Sequence, residues 1–213
     1  MEKLISGIAR FKSSSYEERK KLFSELANGQ SPEVLFITCS DSRIDPNLVT
    51  QTEPGDLFII RNAGNIVPPH TRIAGGVTAS IEFAVTALGV KHIVVCGHAD
   101  CGAMKGALNP DALTDLPHVR DWLEHSRGAV EAVNARNGEV SSETLEHVTE
   151  ENVVLQLQHL RTHPAVLSKL ATGDVELHGW VYNIEHGTML ALDEDTGEFV
   201  PVEERYAEFM KNL

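Results

Sequence analysis

The sequence predicts an α/β fold with a mostly parallel central sheet flanked by helices and preceded by an N-terminal helical arm. Three observations carry this. Val34–Cys39, Leu57–Ile60 and His92–Cys96 are short, nearly continuous apolar runs, as expected of strands buried on both faces. Residues 75–88 and 141–163 place apolar side chains at helical spacing. The two kinds of segment alternate, the pattern of a parallel sheet with helical crossovers.

Each element follows from local signals. Leu4, Ile5, Ile8 and Phe11 make an apolar stripe on a first helix, compatible with an arm lying on another subunit. Ser14 and Glu17 match an S-x-x-E capping box for a second helix, with Leu22, Phe23 and Leu26 inward and Gly29 at its end. After two strands, a helix from Gly75 to Leu88 carries Val77, Ile81, Ala84, Val85 and Leu88 inward and stops at Gly89, before the third strand. Ser141 to His163 reads as a long helix with Leu145, Val148, Val153, Leu157 and Leu160 on its apolar side. Pro164 opens another helix, which ends at Gly173. Val175 to Ile184 is a fourth strand, and His186-Gly187 and Asp195-Thr-Gly197 are turn signals for shorter hairpin strands. No linker or charge block divides the chain, so residues 1–213 are expected to form one domain, with 1–28 as its arm.

Composition narrows the function. The 31 acidic and 18 basic residues give a net charge of -13, which repels phosphate backbones and anionic lipid surfaces. Nucleic-acid and membrane partners are therefore not expected. No stretch approaches the roughly 20 apolar residues that span a bilayer, and the first residues lack an apolar signal-peptide core. The three cysteines, Cys39, Cys96 and Cys101, do not have the spacing of a secreted disulfide scaffold. A reducing compartment, the cytoplasm, is the expected location.

Two strands end in metal-binding residue types. Cys39 closes the first, and Cys96-Gly-His98 closes the third with Cys101 three residues on. In an open parallel sheet, ligands sit beyond the carboxyl ends of the strands, so Cys39, His98 and Cys101 can meet there. Two thiolates and an imidazole suit Zn²⁺ and leave a fourth position for water. H-x-x-C alone is a weak signal, because buried free cysteines are usually small apolar residues. Cys96, inside Ile-Val-Val, is read that way.

The pattern becomes specific when Cys39-Ser-Asp41-Ser-Arg43 is read with His98-Ala-Asp-Cys101 about sixty residues later. Together they resemble the signature of the β-class carbonic anhydrases, of the bacterial, cyanobacterial and plant-like type. Glu53-Pro-Gly55-Asp, Arg61-Asn-Ala-Gly-Asn65, Ser80-Ile-Glu-Phe83-Ala, Cys101-Gly-Ala-Met-Lys105-Gly and His178-Gly-Trp180-Val-Tyr182 are similar to family sequence in the same order, so the likeness covers nearly the whole chain.

The resemblance implies reversible hydration of carbon dioxide to bicarbonate and a proton by hydroxide on one Zn²⁺ per chain. Cys39, His98 and Cys101 would hold the metal. Asp41 would orient the hydroxide, and Arg43 would hold Asp41 off the metal; in a closed state Asp41 itself takes the fourth zinc position. Gln30, Phe58, Phe83 and Gly102 would line the substrate pocket, although Phe83 stands where the plant-like forms have tyrosine. Bicarbonate-regulated forms have a Trp-Arg-Tyr set; Arg61 and Tyr182 match it, whereas Phe36 replaces the tryptophan and lacks an N–H donor. The family also implies a homodimer or dimer of dimers with pockets shared between subunits, in the cytoplasm or a carbon-fixing microcompartment. Two alternatives stay open at this point: hydrolysis of carbonyl sulfide or carbon disulfide at the same ligands, and a noncatalytic zinc scaffold. Retention of Asp41 and Arg43 argues against the scaffold, which needs neither.

Overall fold

Runs of apolar residues with few polar interruptions form the centre of a six-stranded sheet. The computed structural model describes residues 1–73, 75–137 and 142–211. The chain divides into two units, Met1–Ser31 and Pro32–Leu213.

In the first unit, α1 (Glu2–Arg10) runs through a wide π turn at Phe11–Ser15 into α2 (Tyr16–Glu18), and α3 (Lys20–Leu26) follows. Tyr16 and Phe23 stack at 5.3 Å, and Phe11 meets Phe23 edge-on at 5.8 Å. Leu4, Ile5 and Ile8 remain exposed. The expected capping box does not form. Ser14 lies within the continuous helical run, and its hydroxyl donates back to the carbonyl of Arg10 at 2.7 Å, while Ser13 does the same to Ala9 at 3.1 Å. Hydroxyls that bond to a carbonyl one turn earlier no longer serve as caps.

The second unit contains, in order, β1 (Val34–Cys39), α4 (Pro46–Thr50), β2 (Leu57–Asn62), α5 (Gly76–Glu82), β3 (His92–His98), α6 (Gly102–Leu108), α7 (Pro117–Leu123), α8 (Arg127–Asn137), α9 (Ser142–Leu160) and α10 (Pro164–Thr172). It closes with β4 (Glu176–Asn183), β5 (Thr188–Asp193), β6 (Glu198–Pro201), α11 (Val202–Arg205) and α12 (Ala207–Met210). The sheet order is β2-β1-β3-β4-β5-β6; β2, β1, β3 and β4 pair in parallel, and β5 and β6 complete two antiparallel hairpins. The sheet is thus mostly parallel, and the hairpin turns fall at Gly187 and Gly197, both with positive φ. Helix α5 continues through a π-helical turn at Phe83–Leu88 that stops at Gly89, and α10 stops at Gly173, each glycine in the left-handed region that it enters without steric cost. Ser141, the expected start of the long helix, lies outside the described residues.

Alternation along the strands separates two layers. Leu35, Ile37, Ile93 and Val95 face the main core, which includes Val153, Leu157 and Leu160 of α9 and Ile81 of α5. Phe36, Val94 and Cys96 face a second cluster with Ile44 and Trp180. Helix α9 packs very close to the sheet because β3 and β4 present glycines beneath it. A Cβ on Gly179 would stand 2.9 Å from Val153 Cγ1, and one on Gly97 3.0 Å from Val153 Cγ2. Among the described residues, no helix is long and apolar enough to cross a membrane.

Candidate metal centre

The parallel register of β1 and β3 brings Cys39 and His98 to the same edge of the sheet, and Cys101, immediately before α6, turns back toward them. All three side chains are buried, and their ligand atoms lie within 4.8 Å of one another. The two Sγ atoms are 4.0 Å apart; sulfurs about 2.3 Å from one tetrahedral zinc stand roughly 3.8 Å apart. His98 Nδ1–H donates to the Ala99 carbonyl at 2.9 Å, which leaves Nε2 as the acceptor. That atom is buried with no hydrogen-bond partner. A desolvated, unpartnered acceptor beside two thiols is costly unless something binds it. This donor set fits Zn²⁺.

The backbone prepares Cys39 for negative charge. The thiol of Cys101 hydrogen-bonds to it, and N–H groups of Gly64 and Asp41 point at its Sγ at 3.4 Å. These bonds, the one from Cys101 first, hold the Cys39 thiol well below its usual range against the opposing effect of burial. Its partner Cys101 is pushed up, first by its hydrogen bond to Cys39 and then by burial. Cys96 sits fully buried among Phe36, Ile44 and Val94, where desolvation pushes its thiol up to about 12; it takes no part in the cluster.

Asp41 and Arg43 form a tight pair. Arg43 gives its backbone N–H and Nε–H to Asp41 Oδ1, both at 3.0 Å, and Nη2 to Oδ2 at 2.8 Å. These bonds, Arg43's side chain first, hold the Asp41 carboxyl well below the usual carboxylate range. Oδ2 lies 3.8 Å from His98 Nε2, so Asp41 borders the ligand cluster.

Sequence reasoning missed the other half of this clamp. Asp100, within His98-Ala-Asp-Cys101, accepts Arg43 Nη1 at 2.9 Å through Oδ2 and Nη2 at 3.1 Å through its carbonyl, and Lys105 pairs with its Oδ1. The signal was an acidic residue inside the ligand motif with a lysine one turn into the next helix.

Arg61, on β2, donates Nε to the Cys39 carbonyl at 3.0 Å and Nη2 to the carbonyls of Asp41 and Ile44 at 2.7 and 2.9 Å. It braces the 39–44 segment. Phe36 is buried edge-on against Trp180, with ring centroids 6.1 Å apart.

Of the expected pocket residues, Gly102 adjoins the ligands, and a Cβ there would meet nothing within 4 Å. Phe58 and Phe83 lie 6.0 Å apart as a tilted pair, but at another place. Phe58 pairs with Leu35, whereas Cys39 pairs with Asn62, so roughly 13 Å of strand separates Phe58 from the ligand level. Gln30 belongs to the N-terminal unit, where it is exposed.

A polar row on α9 fixes the loop after β2. Asn152 Nδ2 donates to the Gly64 carbonyl at 3.1 Å, and Gln156 Nε2 donates to Asn152 Oδ1 at 2.8 Å while its Oε1 accepts Val67 N–H at 2.9 Å. Trp122 Nε1 holds the Ala63 carbonyl at 2.9 Å. Gly64 has a φ of 81°, and a Cβ there would meet Met104 Cε at 3.0 Å and Ala103 Cβ at 3.1 Å. Glycine is what lets this loop approach α6 and aim its N–H at Cys39.

Comparison with known proteins agrees with this arrangement. The family model described as carbonic anhydrase matches residues 34–189. A carbonic anhydrase of Pseudomonas aeruginosa is 48% identical over 204 residues, 96% of this chain and 93% of that one. The solved β-carbonic anhydrase CcaA superposes with a TM-score of 0.92 at 46% identity, covering 94% of this chain and 91% of the other. A tetrameric β-carbonic anhydrase from Sordaria macrospora gives a TM-score of 0.79 at 31% identity, covering 90% and 95%. With those matches extending across the sheet and through Cys39, His98 and Cys101, the chain belongs to the carbonic anhydrase family, in its β class, and is a carbon dioxide-hydrating enzyme.

Proposed function

We propose that the chain performs reversible hydration of carbon dioxide with one Zn²⁺ held by Cys39, His98 and Cys101. The unpartnered, buried Nε2 of His98 beside two thiols is the observation that carries the metal assignment. When bound, zinc supplies acidification of water, making a nucleophile available near neutral pH.

The chain's own groups set the geometry. Ala99 fixes the His98 ring through Nδ1–H, and Gly64 and Asp41 N–H groups share the charge on Cys39. Asp41 stays ionised because Arg43 holds it, and the remaining lone pair of Oδ2 would be free to accept a hydrogen bond from the attacking hydroxyl and so orient it toward the substrate carbon. Arg43 in turn keeps Asp41 away from the ligands, anchored from behind by Asp100. Gly102 leaves space beside the ligands for a small linear substrate.

Gln30, Phe58 and Phe83 enter this reading as pocket residues supplied across a subunit boundary. The exposed Leu4, Ile5 and Ile8 support a homodimer or dimer of dimers. All three cysteines are free thiols, and oxidation of Cys39 with Cys101 would consume two ligands, which supports a reducing location such as the cytoplasm or a microcompartment within it.

Zinc analysis with a CO₂ hydration assay across pH 6 to 9 tests the reading. One zinc per chain is expected, with activity rising in a single non-cooperative step, and Cys101→Ser should lose both metal and activity. Full zinc occupancy in that variant would remove Cys101 from the ligand set.

A further inference from the structure

The opposite edge of the same sheet carries a second cluster of ligand-type side chains. His92 begins β3 and Glu176 begins β4, and the two are register partners; His178 lies two residues along β4, on the same face as Glu176. His92 Nδ1 is 3.1 Å from His178 Nε2, and Glu176 Oε2 is 3.7 Å from the first and 3.9 Å from the second. We propose that His92, Glu176 and His178 form a second divalent transition-metal site, of the kind that takes Zn²⁺, separate from the catalytic centre.

Chemistry and spacing both support this. Two imidazoles and a carboxylate are a common zinc donor set, and donors about 2.0–2.1 Å from a tetrahedral ion stand roughly 3.3 Å apart. The three distances bracket that value, so small side-chain rotations close the triad on an ion. The ligands come from adjacent hydrogen-bonded strands, which fixes their backbones.

His178 is also oriented from behind, as metal-binding histidines usually are. Its Nδ1 is 2.9 Å from Tyr206 Oη, and the same oxygen accepts Trp180 Nε1–H at 3.2 Å. With Nδ1–H donated to Tyr206, the Nε2 lone pair of His178 faces His92 and Glu176. His92 binds through Nδ1 once its proton resides on Nε2. The triad lines a groove of about 830 Å³, and Glu176 is well exposed, so an ion and a completing water can reach the site from solvent.

The test uses the holoenzyme already carrying its catalytic zinc. Equilibrium dialysis against about 10 μM free Zn²⁺, followed by metal analysis, should show a second equivalent per chain. His92→Asn and Glu176→Gln should each abolish it without changing CO₂ hydration or thermal stability, since both residues sit at the solvent edge. Tyr206→Phe, which removes only the orienting oxygen, should weaken the second site about tenfold. Failure to take up a second equivalent, or uptake undiminished in the His92→Asn, Glu176→Gln double variant, would overturn the proposal while leaving the catalytic assignment untouched.

Discussion

Arg43 engages Asp41 and Asp100 at once and so fixes Asp41 beside the Cys39, His98 and Cys101 cluster. Arg43→Ala should keep its zinc and lose activity by about 10²-fold or more, since a misplaced or freed Asp41 removes the orientation of the nucleophile. Wild-type turnover in the zinc-loaded variant would reduce Arg43 to a structural role. Asp100→Asn, which weakens the clamp from behind while retaining Arg43's bonds to Asp41, should cost about tenfold, the lower range for outer-shell partners, measured as kcat/KM at full zinc occupancy. Cys96→Ala, in contrast, should retain metal and activity and lose at most about 1 kcal/mol of packing in a denaturant titration.

At the scale of elements, the segment from Asn62 to Val67 connects helix packing to the ligand cluster. Asn152→Ala would strip the Gly64 carbonyl and the Gln156 amide of buried partners, with an expected destabilisation of about 1–3 kcal/mol in chemical denaturation. A rise in the zinc dissociation constant should accompany it, because Gly64 N–H is one of the two backbone donors to Cys39. The sequence made some elements plain and hid others for physical reasons. Strands buried on both faces are unbroken apolar runs, and Gly89 and Gly173 announce helix ends by the conformation only glycine takes easily. The meeting of Cys39, His98 and Cys101 was legible because cysteine and histidine are rare residue types that stood here at fixed spacing at or just beyond strand ends. Helices α7 and α8 gave no signal, since they bury few positions, Leu123, Ala129 and Val133 among them, amid polar residues. Ser14 misled because a hydroxyl can satisfy a carbonyl one turn back as well as cap a helix. Asn152 and Gln156 were invisible as buried residues, for a polar side chain inside a helix normally signals solvent, and only the Gly64 and Val67 groups across the space reveal the reason for their burial.

For the whole molecule, acid sensitivity should begin with histidines rather than carboxylates. Burial holds His125, His159 and His163 below their usual pKa in the folded chain. Between the folded value and about 6.5 the unfolded chain binds more protons, so stability is complete above that value and falls as pH drops through it, levelling only below the folded values. Thermal denaturation should therefore show a melting temperature declining from about pH 6.5, before carboxylates titrate; a flat profile down to pH 5 would contradict it. The seat of α9 on two glycines has a consequence for which substitutions can coexist. Val153 occupies the hollow above Gly97 and Gly179, one position along from Asn152. Lifting the helix to admit a methyl group at 179 would draw the Asn152 amide away from the Gly64 carbonyl, so Gly179→Ala should impair zinc retention although it touches no ligand. Val153→Ala should restore part of it, since Val153 Cγ1 at 2.9 Å is the nearest obstacle to that methyl, with Leu157 Cδ1 at 3.1 Å and Leu192 Cβ at 3.3 Å next. A double-mutant cycle would then show a favourable coupling between two apolar positions read out as metal affinity, so that the tolerance of this enzyme to change at its catalytic edge is set partly by the volume permitted beneath one valine.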